Sequence, residues 1–287
     1  MKITLLGTAA GDGYPAHWCE CENCTYAREH GGRNLRGNTT AIINDDLLID
    51  LSHHAPFMAA QLGIRLGRVK NMLVTHAHGD HLYPPHLHWR YGRDAIEEVN
   101  GQRKGGPRSS PMEPLTIYGP EPVRERIASM LEDNLVSERA MRFEPIAVGT
   151  ELQLGEYSIR ALQGNHVSPG YTLNYVIRQN GRTLLYAVDT GDYDEATLAE
   201  AAKDRYDAVV TECTAGLSAY GAGTGHSSLQ QNILLRNQLL ERGCIQPDTP
   251  FVLTHMSPHW APPYDLFVDI AAREGLTVGY DGMVMEI

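Results

Sequence analysis

The sequence contains no uninterrupted apolar run of about 18 residues, the length that a membrane-spanning helix requires. Its first residues, Met1 to Gly7, are too short an apolar run for a secretory signal peptide, so we expect a cytoplasmic protein without a membrane partner. Basic residues are also scarce, because 24 Lys and Arg stand against 35 Asp and Glu and give a net charge of −11. Proteins that bind nucleic acid usually carry a basic face, so long nucleic acid is not an expected partner.

Cysteines are few and odd in number, and three of the five lie between residues 19 and 24. This distribution is not a disulfide framework, and in a chain without an export signal it indicates a metal site in a reducing compartment. Cys19, Cys21 and Cys24 supply one ligand fewer than a tetrahedral zinc ion takes, so a fourth ligand is expected from elsewhere in the fold. The alternative interpretation is three reduced, unliganded thiols on a loop.

The densest group of ionisable side chains lies in residues 75–81, Thr-His-Ala-His-Gly-Asp-His, directly after an apolar run that predicts a strand. Its four candidate ligands are His76, His78, Asp80 and His81. Alternation along the extended chain and a sharp turn at Gly79 place them at two neighbouring points. Imidazole and carboxylate together suit zinc, manganese or iron, and four ligands in six residues exceed the needs of one ion. Two adjacent ions are therefore predicted; the alternative is a polar surface loop rich in histidine.

This stretch matches the His-x-His-x-Asp-His signature and resembles the metallo-β-lactamase superfamily. The resemblance implies an α+β fold, an αββα sandwich with a dinuclear metal site at one edge. It also implies a third histidine, a bridging carboxylate and a late histidine further along the chain. The candidates, each at the end of a predicted strand, are His166, Asp189 and His255. Each alone is more readily explained as a capping or packed residue, but together they follow the expected order.

The resemblance assigns a ligand set to each ion. The ligands of the first ion are His76, His78 and His166. The ligands of the second ion are Asp80, His81 and His255. Asp189 bridges the two ions, and a hydroxide held between ions about 3.5–4 Å apart is the expected nucleophile. Asp50, at the tip of an earlier predicted strand, either orients a ligand histidine by a hydrogen bond or only ends that strand.

Three further stretches narrow the resemblance to one branch of the superfamily. Gly13-Tyr14-Pro15 ahead of the cysteines, together with residues 253–257 and 278–283, resembles the phosphonate-pathway cyclic phosphodiesterases (the PhnP type), which are related to ribonuclease Z. In that branch the three cysteines share a structural zinc with a histidine just after the late ligand, which here implies His259. The branch also places a histidine beside the substrate phosphate, and His226 occupies the matching place. His226 and Asp80 are therefore the expected catalytic residues, although His226 also fits a loop histidine at a helix cap.

No linker, repeat or low-complexity segment divides the chain, so one domain is predicted over residues 1–287. A helix is predicted from Asp80 to Tyr91, with its prolines near its start. A polar, glycine-rich insertion follows at about 92–114, which either overhangs the active site or forms a solvated surface loop.

The expected function is a metal-dependent hydrolase, a phosphodiesterase for a small phosphate ester, cyclic esters included. Its expected cofactors are two divalent transition ions, zinc, manganese or iron, and one structural zinc. Other activities on the same scaffold stay open: an endoribonuclease, a thioester or lactam hydrolase, or an oxygenase with one iron. A non-enzymatic carrier in cofactor biosynthesis is a further alternative, because the branch associated with pyrroloquinoline quinone has similar cysteines. The expected partner is the small-molecule ester, and a homodimer is left open.

Overall fold

The computed structural model describes residues 1–90, 98–103, 112–132, 140–219 and 223–287. Within these ranges the strands are β1 (Lys2–Gly7), β2 (Thr40–Ile43), β3 (Leu47–Ile49), β4 (Asn71–Leu73), β5 (Glu98–Val99), β6 (Gln102–Arg103), β7 (Leu115–Gly119), β8 (Met141–Pro145), β9 (Glu151–Leu154), β10 (Tyr157–Gln163), β11 (Leu173–Gln179), β12 (Arg182–Ala187), β13 (Ala208–Glu212), β14 (Phe251–Thr254), β15 (Thr277–Val278) and β16 (Val284–Glu286). The helices are α1 (Glu22–His30), α2 (Ala55–Gln61), α3 (Glu121–Glu132), α4 (Glu195–Ala201), α5 (Leu229–Glu241) and α6 (Tyr264–Arg273).

The described strands form two seven-stranded sheets and one small pair, β5 with β6. The first sheet has the order β16-β1-β2-β3-β4-β7-β8, and the second has the order β15-β14-β13-β12-β11-β10-β9. Strands β3 and β4 run parallel in the first sheet, and β12, β13 and β14 run parallel in the second. Asn180 and Gly181 both take positive φ between the antiparallel strands β11 and β12, as a two-residue Asn-Gly hairpin turn requires.

The strands are apolar on both faces because each sheet is covered on both sides. Ile43 packs with Leu184 in the core between the sheets, whereas its neighbour Ile42 packs in the outer core that includes α2 and α3 residues. On the other side Leu185 packs with residues of α4, α5 and α6. The layers therefore run helix, sheet, sheet, helix, and the predicted αββα sandwich is confirmed.

The ends of the parallel strands carry the ionisable residues. β4 ends at Leu73, β12 at Ala187 and β14 at Thr254, each one or two residues before a predicted site residue or its motif. Because the carboxyl ends of parallel strands meet at the same edge of a sheet, the residues after β12 and β14 are brought together. The motif after β4, in the first sheet, is held beside the second sheet by a hydrogen bond from Leu173 N–H to Thr75 O at 2.9 Å.

Three residues at these strand ends adopt left-handed backbone conformations that side chains other than glycine rarely take. Asp50 has φ +64°, Asp189 has φ +51° and His255 has φ +55°. Strain of this kind, about 1–3 kcal/mol each, persists where surrounding structure enforces it and is concentrated at functional sites. The backbone here turns out of the strand so that the side chain faces the sheet edge.

The predicted helix from Asp80 to Tyr91 is wrong. The chain instead makes a tight turn and then a 3-10 segment over Pro84–Trp89. Proline lacks a backbone N–H, and Tyr83 donates its own N–H to Leu51 O at 2.8 Å, so a regular helix does not start in the turn.

Much of the predicted insertion lies outside the described residues, which include only 98–103 and 112–114 of it, so its placement over the active site stays a prediction. Helix α1 and strand β9, which the sequence patterns did not predict, are present. Within the described parts of the chain, no helix has the length and apolar character that crossing a bilayer would require.

Candidate metal centre

The structure brings the first predicted ligand set together. Ligand atoms of His76, His78, His166 and Asp189 all lie within 4.8 Å of one another. His76 Nε2 is 3.2 Å from Asp189 Oδ2, and His166 Nε2 is 3.2 Å from His78 Nδ1. Nitrogen and oxygen ligands on one tetrahedral zinc ion stand about 3.4 Å apart, so these separations fit one ion.

The second predicted set forms a neighbouring group. Ligand atoms of Asp80, His81, Asp189 and His255 also lie within 4.8 Å of one another. His81 Nε2 is 3.2 Å from Asp189 Oδ2, and His255 Nε2 is 3.4 Å from Asp80 Oδ2. Asp189 belongs to both groups, and its Oδ2 is within 3.5 Å of His166 Nε2 as well. The shared carboxylate is therefore placed as a bridging ligand would be.

Hydrogen bonds determine which ring nitrogen of His81 and of His255 is available to bind a metal ion. His81 Nδ1 donates to the carboxylate of Asp50 at 2.7 Å, which leaves the lone pair on His81 Nε2. Thr214 Oγ1 donates its only proton to His255 O at 2.9 Å. The same hydroxyl oxygen therefore accepts a hydrogen bond from His255 Nδ1, which is 2.8 Å away. With both rings neutral, as metal ligands have to be, the lone pairs of His81 Nε2 and His255 Nε2 face each other at 3.0 Å. A cation between them would relieve this repulsion.

Buried polar atoms without a well-formed hydrogen bond also indicate that this centre binds cations. Among the described residues, the buried atoms His76 Nε2 and Asp189 Oδ1 make no hydrogen bond of acceptable geometry, although they lie 3.2 Å from Asp189 Oδ2 and 3.0 Å from His255 Nδ1 and such groups are almost always paired in folded proteins. Together with the soft-to-hard mixture of imidazole and carboxylate, this fits two zinc, manganese or iron ions.

The charges of the centre also favour cations. Burial lowers the pKa of His81, but Asp189 and Asp80 outweigh it and hold the pKa well above its usual value. Burial likewise opposes protonation of His255, yet Asp189 raises its pKa to about 9. Burial and the neighbouring His81 lower the pKa of His76 to about 3. Without a metal ion the carboxylates thus draw protons onto the buried rings of His81 and His255, and a bound cation would take the place of those protons.

Backbone contacts orient the third histidine of the first set. His166 Nδ1 lies 3.1 Å from the carbonyl oxygen of Gly225, which positions Nε2 toward His78. Gly225 has φ +80°, and a Cβ on it would lie 2.7 Å from His166 O. Only glycine fits this close approach.

His226 lies beside the centre and is held by a carboxylate that the sequence analysis did not name. Its Nδ1 lies 3.0 Å from Glu212 Oε1, and Glu212 is fully buried. Burial lowers the pKa of His226, but the hydrogen bond and charge of Glu212 outweigh it and raise the pKa. Glu212 ends β13, so it carried the same signal as Asp189 and His255, an ionisable residue at a strand end.

Glu212, His226 and His255 also lie within 4.8 Å of one another and could hold an ion by themselves. His255 is already part of the second ligand set, so the two arrangements compete for the same imidazole. The Asp80 set offers two carboxylates and is the better match to a divalent ion.

The three clustered cysteines form a second, separate candidate site. The Sγ atoms of Cys19, Cys21 and Cys24 lie within 4.8 Å of one another, and Cys19 Sγ is 4.0 Å from His259 Nδ1. Ligands on one tetrahedral zinc would stand about 3.6 Å apart for this sulfur–nitrogen pair. Asp12 Oδ2, 3.6 Å from His259 Nε2, is placed to orient the ring. The three thiols therefore fit one zinc ion, and His259 lies beside Cys19, so that its role as the fourth ligand stays a prediction.

Local structure explains how these thiols come together. Cys21 occupies the position before α1 and Cys24 lies in its first turn, so the positive end of the helix favours thiolates there. Burial raises the pKa of Cys24 to about 12, so a cation is needed to ionise all three. A zinc ion supplies that charge.

A family model described as "Beta-lactamase superfamily domain" matches residues 46–256, more than half of the chain and all seven candidate ligands of the dinuclear centre. The chain therefore belongs to the β-lactamase superfamily, in which hydrolases that depend on metals are general. The cysteines and His259 lie outside the matched span.

Several known proteins and solved structures are similar to this chain. Coenzyme PQQ synthesis protein B of Acinetobacter baylyi is 25% identical over 327 aligned positions, which cover 100% of this chain and 100% of the relative. The structure of a diphosphatase from the PhnP family superposes with a TM-score of 0.71 at 16% identity, covering 100% of this chain and 97% of the other. Zinc-bound PqqB from Methylobacterium extorquens has a TM-score of 0.71 at 18% identity and complete coverage of both chains. The structural likenesses show the metallo-β-lactamase fold.

Proposed function

We propose that the protein is a metal-dependent phosphodiesterase that acts on a small phosphate ester, cyclic esters included. The observation that carries the proposal is Asp189, which two sets of candidate ligands share, with His76, His81 and His166 within 3.5 Å of its Oδ2, beside the His226–Glu212 pair. Two adjacent divalent sites with a proton-carrying side chain next to them suit phosphoryl chemistry.

Each ligand set would hold one divalent ion. Such ions act as Lewis acids that polarise phosphoryl oxygens and lower the pKa of water. The chain's own contribution is to keep these ions adjacent and to enclose them among buried side chains. Electrostatic stabilisation is strongest in such low-dielectric surroundings.

His226 is the residue we assign to the leaving group. Glu212 occupies Nδ1, so the opposite ring nitrogen, Nε2, is free of hydrogen bonds among the described residues. The His226 side chain is 22% exposed, in contrast to the enclosed ligands His76, His81 and His255. It can therefore reach a bound ester and hold a proton at Nε2 for the departing oxygen.

The acidic chain favours a small substrate over RNA. Binding to a long phosphate backbone depends on several Lys or Arg contacts, and the net charge of −11 opposes it. An isolated ester needs only the metal centre and a few nearby donors.

A second candidate is a role in cofactor biosynthesis. It is favoured by the match to a coenzyme PQQ synthesis protein, which spans this chain from end to end at 25% identity. The two candidate functions differ in whether the protein breaks a phosphodiester bond.

Metal analysis combined with a hydrolysis screen separates the candidates. Protein purified without chelator should contain about three ions per chain, two at the dinuclear centre and one at the cysteines. It should cleave bis-p-nitrophenyl phosphate and a cyclic nucleotide, and lose this activity in a chelator that spares the cysteine site. Fully loaded protein that opens a thioester or lactam but no phosphodiester would refute the proposal, and inactivity on all four would favour the biosynthetic role.

A further inference from the structure

A short loop, residues 10–13, touches both candidate metal sites. On one side, a Cβ on Gly11 would lie 3.3 Å from Asp80 Oδ2, so the Gly11 backbone stands against a ligand of the second ion. On the other side, Asp12 Oδ2 lies 3.6 Å from His259 Nε2, beside the cysteines. The two contacts come from adjacent residues, so this loop connects the dinuclear centre with the cysteine site.

The contact with Asp80 is important because Asp80 is the most exposed ligand of its set. Its side chain is 18% exposed, whereas those of His81, Asp189 and His255 are 2% exposed or less. A partly exposed carboxylate can rotate towards solvent and release its ion. The Gly11 backbone, packed against this carboxylate, restricts that rotation.

The loop is also bonded to the segment 255–259. Ala10 donates its N–H to Met256 O at 3.0 Å, and Ser257 Oγ donates to Asp12 Oδ2 at 3.5 Å. This segment begins with a candidate ligand of the dinuclear centre and ends with the histidine beside the cysteines. A displacement at one metal site therefore shifts groups at the other.

The contact between Asp12 and His259 depends on the zinc ion for its strength. The side chains are 51% and 40% exposed, and a charge pair at such exposure contributes little by itself. A zinc ion on His259 Nδ1, the nitrogen 4.0 Å from Cys19 Sγ, would fix the ring and keep the proton on Nε2, facing Asp12. Occupation of the cysteine site would therefore strengthen this contact.

We propose that Asp12 is a positioning residue that couples the two metal sites, so that zinc on the cysteines raises the affinity of the second active-site ion. Zinc orients His259, His259 holds Asp12, and Asp12 keeps Gly11 against Asp80. The coupling is reciprocal, as for any two linked binding equilibria. The inference goes beyond the proposed function, because it concerns metal affinity and holds whichever bond the protein breaks.

Manganese titration followed by electron paramagnetic resonance measures the second ion, because a second Mn²⁺ couples magnetically to the first and changes the spectrum. The dinuclear centre is first emptied with a chelator that spares the cysteine site, whose thiolates select zinc over manganese. Asp12→Asn should lower the affinity for the second Mn²⁺ about fivefold, the lower end of the range for coupled sites. The first Mn²⁺ should bind as in the wild type, and saturating Mn²⁺ should still fill both positions.

A double-mutant cycle shows whether Asp12 acts through the cysteine site. Cys21→Ser protein, which should lack the zinc, should bind the second Mn²⁺ about fivefold more weakly than wild type or weaker still. Adding Asp12→Asn to it should change that affinity by less than about twofold, because the contact has already been lost. If Cys21→Ser does not fold, fully metal-stripped wild-type and Asp12→Asn proteins titrated with Mn²⁺ alone provide the same comparison.

The matched control is Glu20→Gln, which removes one carboxylate charge from the cysteine loop, where Glu20 pairs with Arg28. This variant should keep the wild-type affinity for the second Mn²⁺, and thermal melts confirm that each variant is folded. An unchanged affinity in Asp12→Asn, an equal loss in Glu20→Gln, or the same effect of Asp12→Asn with and without the cysteine zinc would overturn the inference. Failure of the phosphodiesterase proposal is distinguishable, because none of these measurements uses a substrate.

Discussion

Asp50 Oδ2 lies 2.7 Å from His81 Nδ1, and neither side chain is exposed to solvent. The other carboxylate oxygen accepts the backbone N–H of Thr75 at 2.8 Å, so Asp50 fixes both the ring of a ligand and the chain that leads into the motif. Of the two roles that the sequence left open for Asp50, the structure favours orientation of a ligand histidine. Carboxylates of this kind set the tautomer and basicity of metal-binding imidazoles.

We therefore expect Asp50→Asn to lower the affinity for active-site metal about 10–100-fold. Asparagine tolerates the left-handed backbone at this position, so the loss reports charge and not strain. Competition with a chromogenic chelator measures the affinity. Asp45→Asn is the control, because Asp45 also has positive φ but lies in a hairpin turn and pairs with Lys2. Equal affinities in both variants and wild type would refute the role of Asp50.

Replacing the shared carboxylate should affect both ions at once. Asp189→Asn keeps the shape and the backbone conformation but removes the charge that both ligand sets share. We expect the metal content of the dinuclear centre to fall and activity to drop more than about 100-fold. This loss exceeds the one typical of a residue that only orients a metal ligand by a hydrogen bond. Elemental analysis and turnover are measured on the same sample. An Asp189→Asn protein with full activity would remove the bridging assignment.

His226→Ala should reduce turnover about 10²–10⁴-fold while the metal content stays unchanged, because His226 is outside both ligand sets. An ester with a poor leaving group should suffer more than a p-nitrophenyl ester, since p-nitrophenolate needs little protonation. Glu212→Gln should give a smaller loss with the same dependence on the leaving group, because Glu212 acts only through His226. Equal losses on good and poor leaving groups would show that His226 binds phosphate without donating a proton.

Cys21→Ser should remove one zinc per chain and lower the melting temperature, because a closed four-ligand site contributes directly to folding. Cys244→Ser is the control, since Cys244 is buried but lies outside the cysteine cluster. The two ions of the dinuclear centre should remain in both variants. Unchanged zinc content and stability in Cys21→Ser would mean that the cysteines hold no metal.

Gly225→Ala should weaken the first ligand set. The added Cβ would lie 2.7 Å from His166 O, so the two backbone segments have to separate. This separation displaces Gly225 O, the atom that orients the His166 ring. The left-handed φ of +80° adds about 1–2 kcal/mol of strain for any other residue. Gly243→Ala carries comparable strain at φ +70° with no atom within 4 Å of the added Cβ, and so isolates the effect of the clash. Metal affinity should fall in Gly225→Ala alone, and an equal change in both variants would contradict the argument.

The ligand candidates could be found in the sequence because each follows an apolar run. Such runs end where a strand leaves the core, and an ionisable residue at that point is exposed at a sheet edge. The motif at residues 75–81, His166, Asp189 and His255 all carry this signal, and the structure brings them within a few ångströms. The layer order followed from the superfamily resemblance, and the apolar strands agree with it.

Predictions from the local sequence pattern failed where contacts between distant parts of the chain determine the secondary structure. Residues 80–91 have helical character, yet Tyr83 bonds to Leu51, thirty-two positions away, and the prolines remove donors, so a 3-10 segment forms. Helix α1 is only weakly amphipathic and was not predicted from its sequence. Its position is set by the cysteine cluster and by the chain it packs on.

The sequence by itself determined the chemical types at the site, because imidazole, carboxylate and thiolate at strand ends or close spacing have few other uses. The tertiary structure alone decided which partner each group has: Asp50 for His81, Glu212 for His226, and Asp12 for His259. The physical reason is range. Periodicity and turn chemistry act over a few residues, whereas tautomer, charge and orientation depend on atoms within about 3 Å whose residues are 14 or 31 positions apart in the chain, as for His226 with Glu212 and His81 with Asp50.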